Sequence, residues 1–162
     1  MPRVLCHWTK HKYLHCQDGI LERGLLTAGA ISGNQFDRQY VMFVNGDPQA
    51  MTDTEIAGIK RGSDIAIVIS TAAARKAGSA PFRESPVASE LEVWVSEGIE
   101  AVGGFPRPTM LGYWDARRKR FVHFEGGAAY DECLPPTEWW GHEGALYPMP
   151  RQGGHTFEVV IR

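Results

Sequence analysis

The chain has 162 residues, of which 43% are hydrophobic and 22% are charged, and these values predict one globular domain over residues 1–162 with a single sizeable core. Its formal net charge of −2 predicts no general attraction to nucleic acid or membranes, so a polyanion would need a local basic patch. No run is long enough to span a bilayer and no charged-then-apolar leader begins the chain, which favours a cytoplasmic protein.

The first half of the chain predicts short strands between helices. Residues 3–9 form a first strand, and residues 10–26 carry a helical apolar face that Gly19 weakens, so two short helices are an alternative. The patterns that follow predict a loop over 27–37, a strand over 39–45, a capped helix over 52–60, a buried strand over 64–71 and a small helix from 72.

The second half predicts mainly strands. A strand over 90–95 continues after a bend through 98–104, and a hairpin with a basic tip spans 109–115 and 121–125. Residues 126–153 predict no regular element, and 155–161 alternate as a closing strand. Six or seven short strands without regular βαβ alternation predict a mixed α+β protein.

Two neighbouring carboxylates stand out on the strand at 90–95. Alternation puts Glu90, Glu92 and Trp94 on one side of it. Like charges so close repel each other, so this placement requires water, a cation or a chemical role. The side could simply be a solvated face, but Trp94 argues against a fully wet one.

Zinc is the next chemistry to consider, because histidines and cysteines cluster near the N-terminus. The apolar pattern puts His11 and His15 on the solvated side of their helix, and no Cys-x-x-Cys pair exists, so we expect no metal. An odd number of cysteines fits a reducing compartment better than a disulfide framework. The chain also lacks a phosphate loop and a Gly-x-Ser-x-Gly elbow.

Three motifs together resemble one enzyme family. His7-x-Thr9 on a first strand, followed by Ile-Leu-Glu-Arg-Gly-Leu-Leu at 20–26, resembles the opening of the ADP-ribosyltransferases. Tyr-Val-Met-Phe at 40–43, with Pro-Gln-Ala-Met at 48–51, is similar to the second strand of the DarT type, which modifies nucleic acid. Glu92-Val-Trp-Val resembles the strand that carries their catalytic glutamate. The matches lie in the family's order over about the first 100 residues.

The resemblance implies a fold and a reaction. The fold is the ADP-ribosyltransferase-like split β-sandwich of short, mostly antiparallel strands, with a few flanking helices and a cleft for NAD. The reaction is mono-ADP-ribosyl transfer from NAD, a substrate rather than a metal-bound cofactor, to a DNA or RNA acceptor. Such an enzyme can act as a toxin that a neutralising antitoxin or immunity protein blocks.

The resemblance also implies roles for individual residues. Glu92 is the catalytic carboxylate, and Glu90 is a second acid beside it that orients the nucleophile. The loop over 76–89 selects the acceptor through Phe82 and Arg83, a ring and a cation suited to a nucleobase and its phosphate. The residues implied to hold NAD are His7, the backbone of Trp8, Thr9, Arg38, Tyr40 and Phe43.

Other readings remain open at this stage. The enzyme could be an RNA 2′-phosphotransferase of the same superfold or could modify protein, and a catalytically inactive module that binds ADP-ribose or a nucleotide is the non-enzymatic alternative. His7 could be a satisfied strand-end histidine, and Arg38 could be merely solvated, as could the basic run at 117–120. Tyr40 and Phe43 have opposite parity, so at least one of them belongs to the core.

Overall fold

The structure is a computed structural model that describes residues 1–86 and 91–128 and the backbone of a strand at 157–160. Five α-helices, one short 3₁₀ helix (Arg107–Thr109) and ten strands lie within these residues. The helices are α1 (Lys12–His15), α2 (Ile20–Arg23), α3 (Ala28–Ser32), α4 (Asp53–Ile59) and α5 (Thr71–Lys76). The strands are β1 (Val4–Thr9), β2 (Leu25–Leu26), β3 (Val41–Asn45), β4 (Ile65–Ser70), β5 (Arg83–Glu84), β6 (Glu92–Ser96), β7 (Gly104–Phe105), β8 (Met110–Asp115), β9 (Arg120–Phe124) and β10 (Phe157–Val160).

Eight of the strands form one sheet in the order β10-β9-β8-β4-β1-β3-β6-β5. Neighbouring strands are antiparallel except β10, which runs parallel to β9. The other two strands, β2 and β7, pair as a small antiparallel ribbon. The predicted α+β class with mostly antiparallel strands is confirmed, and the described α-helices all precede residue 77. None of these helices is long and apolar enough to cross a membrane.

Each face of the large sheet buries its own core. Alternation along β1 sends Leu5 to one face and Cys6 to the other, and both side chains are fully buried. The Leu5 face packs against α1, α2 and the β2–β7 ribbon, through residues such as Leu14 and Phe105. The Cys6 face packs against α4, through Ile56 among others.

Strand pairing is sparse at one place in the large sheet, between β1 and β3. Strand β1 is in register with β4 over six residues, from Val4 opposite Ser70 to Thr9 opposite Ile65. Its register with β3 on the other side consists of Cys6 opposite Val44 alone. The two strands remain neighbours in the sheet, but their ladder is limited to this pair, and we call the gap in the ladder beyond it, beside His7, the opening. Where two packed sheets were expected, the described strands form this large sheet and the β2–β7 ribbon packed on one of its faces.

Several predicted elements differ in detail. The segment 10–26 contains two short helices, as the alternative held, and the predicted loop at 27–37 contains α3, whose N-cap Thr27 accepts a hydrogen bond from the Ala30 amide. The strand expected through 98–104 turns back instead, because Gly98 and Gly103 adopt positive φ angles of 75° and 78°. The final strand is present as β10, while most of 126–153 lies outside the described residues.

Candidate functional site

His7 lies at the opening between β1 and β3. Its Nδ1 is 2.8 Å from the carbonyl oxygen of Met42 in β3. Burial lowers the pKa of His7 to about 4, although the Met42 hydrogen bond favours the charged form, and the nearby charges of Lys60 and Arg38 lower the pKa further. A carbonyl oxygen can only accept, so the neutral ring donates from Nδ1 and keeps Nε2 as an acceptor.

A cavity of about 680 Å³ lies beside this opening. Its floor is the end of β1 with the start of β3, and its walls come from the α1–α2 segment, β2 and α3. The residues that line it from the sheet side are His7, Thr9, Tyr40, Val41 and Met42.

A second cavity, of about 530 Å³, is lined by side chains of the Cys6 face, among them Met42, Val44 and Val93. The two cavities have four lining residues in common, namely His7, Arg38, Met42 and Lys60. Both cavities therefore meet at the opening between β1 and β3. We call the surface of these four residues the junction.

The junction carries two cations. Arg38 and Lys60 are exposed, and neither forms an ion pair with a described residue. The Arg38 guanidinium lies 5.5 Å from the Tyr40 ring centroid, and the Lys60 ammonium lies 6.0 Å from the Tyr13 ring centroid. Because His7 is neutral, the positive charge of the junction comes from Arg38 and Lys60 and is available to an anionic ligand.

The structure separates the residues implied to bind NAD into two groups. Thr9 and Tyr40 line the larger cavity together with His7 and Arg38. Trp8 points to the opposite face, where its side chain is 1% exposed in the core, so its ring is not part of the larger cavity. The Thr9 carbonyl faces β4, where it accepts from the Asp64 amide, so by alternation the backbone N–H and C=O of Trp8 face β3.

Phe43 is wrongly predicted as a stacking ring for the ligand. It is 0% exposed and lies in the core of the Leu5 face. Its ring packs edge-on against Phe105 with the centroids 5.2 Å apart. Strand parity explains the result, because the side chain of Phe43 points inward while Tyr40 precedes the strand at the cavity edge.

Phe82 is likewise wrongly predicted as an acceptor contact. It is 7% exposed and stacks on Phe105, with the ring centroids 5.7 Å apart. Arg83 remains at the surface, in the edge strand β5, where it forms an ion pair with Glu97 at 2.6 Å. The hydrogen bond that Arg83 donates to the Glu97 carboxylate raises the pKa of Arg83 above its usual range. Of the two residues, only Arg83 can contact a ligand.

Glu92 begins β6 opposite Asn45, and the Asn45 Nδ2 donates a hydrogen bond to its carboxylate. By strand parity Glu92 lies on the same face as His7, next to the half-buried Trp94, which packs on the core. It is exposed and lines neither cavity, although its neighbour Val93 lines the smaller one. Three residues of strand separate it from the level of Met42, which is about 10 Å. Glu90 lies outside the described residues.

No group of three or more His, Cys, Asp or Glu side chains that could hold a metal exists among the described residues. The described N-terminal segment instead pairs His11 with Tyr113, their ring centroids lying 5.7 Å apart.

The sequence reading missed Lys60. The residue is the C-cap of α4, a correctly predicted helix, but only the packing of α4 beside β1 brings it to His7. Without that tertiary contact, Lys60 is indistinguishable from a solvated lysine.

Comparisons with models of protein families, with curated proteins and with solved structures find no match to this chain.

Proposed function

We propose that the protein is an NAD-dependent mono-ADP-ribosyltransferase whose acceptor is a nucleic acid, with an ADP-ribosyltransferase-like split sheet as its scaffold. The observation that carries the proposal is the pair of cavities that meet at the cationic junction. The opening between β1 and β3, where a single residue pair joins the two strands, is the kind of split that such a scaffold uses to admit NAD.

The shape and charge of the site fit a dinucleotide. NAD consists of two ring-bearing nucleosides joined by a diphosphate, so it needs two partly apolar compartments with positive charge between them. The volumes of about 680 and 530 Å³ fall in the range of small-molecule sites. Arg38 and Lys60 line both compartments and can meet the diphosphate, Arg38 through its planar fork of donors.

His7 suits a ribose contact. With Nδ1 donating to Met42, its Nε2 is an acceptor for a ribose hydroxyl. The pKa of about 4 keeps the imidazole neutral at physiological pH, so this acceptor is not lost to protonation. The backbone of Trp8, facing β3, can hold the carboxamide of nicotinamide, and Tyr40 can stack on a ring.

Glu92 supplies the carboxylate that the reaction needs. Breaking the bond between nicotinamide and ribose develops a sugar cation like that of glycoside hydrolysis. A carboxylate stabilises this cation and orients or deprotonates the incoming nucleophile. Asn45 fixes the Glu92 carboxylate on the face that also carries His7. Ribosyl transfer then requires the nicotinamide end of NAD to extend along β3 towards Glu92.

A second candidate function is a non-catalytic module that binds ADP-ribose or another nucleotide. The observation that favours it is the exposure of Glu92, which lines neither cavity. Binding requires the junction but not the carboxylate, so the two functions separate at Glu92.

The test is incubation with NAD labelled in its adenylate moiety, with single-stranded DNA, RNA and protein offered in parallel. Label on an oligonucleotide that is lost in Glu92→Gln supports the proposal. Label on protein alone would replace the acceptor, and release of a 2′-phosphate from RNA would indicate the phosphotransferase alternative. Tight binding of NAD without transfer or hydrolysis would leave the non-catalytic module.

A further inference from the structure

Three loops meet at one end of the large sheet. Thr9 lies opposite Ile65, Ile65 opposite Asp115, and Asp115 opposite Arg120. The β1–α1 loop with the first residue of α1 (10–12), the α4–β4 loop (60–64) and the last residue of β8 with the β8–β9 turn (115–119) therefore emerge side by side. Segments that are more than a hundred residues apart in sequence share this edge.

These loops hold seven lysines and arginines and only two aspartates, a formal charge of +5 in a chain whose net charge is −2. We call them together the basic surface. All seven cationic side chains are exposed except Lys10, which is half-buried. The remainder of the chain therefore carries a formal charge of −7, which is the net charge of −2 less the +5 of these loops.

Both aspartates help to assemble the surface, and each also forms an ion pair with one of its arginines, Asp64 with Arg117 and Asp115 with Arg118 at 3.2 Å. Asp64 joins all three loops: its Oδ1 accepts from the His11 amide at 2.7 Å, its backbone oxygen accepts from the Ala116 amide at 3.0 Å, and its Oδ2 lies 3.6 Å from Arg117. Asp115 accepts from two amides of its own turn, those of Arg117 and Arg118, each at 3.0 Å. The cations are consequently presented on a fixed frame.

The basic surface is continuous with the cavities. Lys60 belongs to it and also lines both cavities at the junction. On the other side, the side chain of Lys10 lies against Gly62, where an added Cβ would come within 3.2 Å of its Cε. A chain of anions crossing the three loops would therefore arrive at the opening between β1 and β3.

We infer that the basic surface binds the phosphate backbone of a nucleic-acid strand. Closely spaced cations on a rigid edge match a regular row of phosphates, and such contacts dominate the affinity of proteins for nucleic acid. The inference stands on the charges and their frame, and only the role of the surface in holding the acceptor rests on the proposed function.

The experiment measures binding of a fluorescein-labelled single-stranded oligonucleotide by anisotropy over a range of salt concentrations, with DNA and RNA in separate arms. The test variant is Arg61→Glu with Lys119→Glu, two residues of different loops that line neither cavity. The control is Arg3→Glu with Arg75→Glu, exposed arginines outside the three loops, of which Arg3 precedes β1 and Arg75 lies in α5. Both variants change the net charge equally.

We expect the test variant to bind at least about tenfold more weakly at low salt and to show a salt slope shallower by about 1.4, the loss of two phosphate contacts. The control should keep most of the affinity and the original slope. Equal weakening in both variants, or no weakening in the test variant, would overturn the inference, as would equally tight binding of polyglutamate.

Calorimetry of NAD on the same variants separates this inference from the proposed function. NAD affinity should be unchanged in the test variant, because neither altered residue lines the cavities. A protein that binds the oligonucleotide through these loops but does not bind NAD would retain the basic surface and lose the proposed transferase. A protein that binds NAD but no oligonucleotide would overturn the inference about the basic surface and leave the NAD site of the proposed function in place.

Discussion

At the scale of single residues, the side chain of His7 makes a hydrogen bond between two strands that a backbone amide usually makes. Its side chain bonds the Met42 carbonyl at a place where β1 and β3 make no ladder pair beyond Cys6 and Val44. An imidazole thus bridges the opening and at the same time lines both cavities. The environment that suits it for this role also makes its protonation costly.

The cost of protonating His7 predicts a pH dependence of stability. The folded pKa of about 4 lies below the unfolded value near 6.5, so between these values the unfolded chain binds more protons and stability falls as the pH falls. The loss is complete near pH 4 and amounts to about 3 kcal/mol. Urea unfolding across this range should show this loss reduced in His7→Gln, with the exposed His15→Gln as a control. An identical profile in wild type and His7→Gln would contradict the assigned environment.

The second residue-scale prediction concerns Glu92. Glu92→Gln keeps shape and some hydrogen bonding but removes the charge that would stabilise a ribosyl cation. Such a charge contributes a few kcal/mol, so the transfer rate at saturating NAD should fall by about a hundredfold or more. The control is Glu100→Gln, also an exposed glutamate. A Glu92→Gln protein with near-full transfer would show that the carboxylate is not catalytic.

At the scale of elements, the edge strand β5 depends on the residue before it. Strand β5 has two exposed residues, while Phe82 inserts into the core and stacks on Phe105. The segment that the resemblance assigned to acceptor selection is therefore anchored by its aromatic residue and leaves Arg83 outside. Anchor and surface residue are adjacent in sequence but differ in function.

Phe82→Ala should destabilise the fold by about 3–5 kcal/mol, because it removes a buried ring and leaves a cavity. Phe36→Ala is the matched control, since Phe36 is 87% exposed and its truncation should change stability by less than about 0.5 kcal/mol. Urea midpoints at constant m-value measure both. Similar small losses in the two variants would return Phe82 to the list of candidate ligand contacts.

Hydrophobic periodicity and the alternation of side chains along strands made many of the helices and strands predictable from the sequence. The apolar run at 64–71 and the hairpin over 109–125 predicted β4, β8 and β9 within a few residues, because both rest on local patterns. Strand parity predicted that Tyr40 or Phe43 lies in the core but not which of the two, and the inward placement of Phe82 depends on tertiary packing against Phe105, which no local pattern contains. The junction likewise joins Lys60 to His7 across more than fifty residues, so only tertiary packing could reveal it.

At the scale of the whole molecule, two cavities and the basic surface converge on one opening. The sheet places the cavities on either side of β1 and β3 and places the three loops at the end of β1, β4 and β8. Lys60 belongs to the basic surface and lines both cavities, so ligands at all three sites would lie next to it. A ligand that spans both cavities should accordingly stabilise more of the protein than a ligand that fills one.

This arrangement predicts a ranking in thermal unfolding. A ligand at a hundred times its dissociation constant stabilises the folded state by about 2.7 kcal/mol. At equal millimolar concentrations, NAD and ADP-ribose should raise the melting temperature more than AMP or nicotinamide alone, because only the larger pair reach across the junction. Arg38→Ala should reduce the difference in melting-temperature shift between the larger ligands, NAD and ADP-ribose, and the smaller ones, AMP and nicotinamide. Equal shifts for AMP and NAD would mean that one compartment holds the whole ligand.

The single Cys6–Val44 pair joins a block of five strands to a block of three. Cooperative units of a protein separate where the fewest hydrogen bonds and contacts must be broken. Strands β3, β6 and β5 should therefore exchange their amide hydrogens as one unit, ahead of β1, β4 and β8. A ligand bound across the opening would hold the two blocks together, and its binding energy would appear as slower amide exchange in both blocks. Ligand binding and the separation of the two blocks would then be thermodynamically coupled.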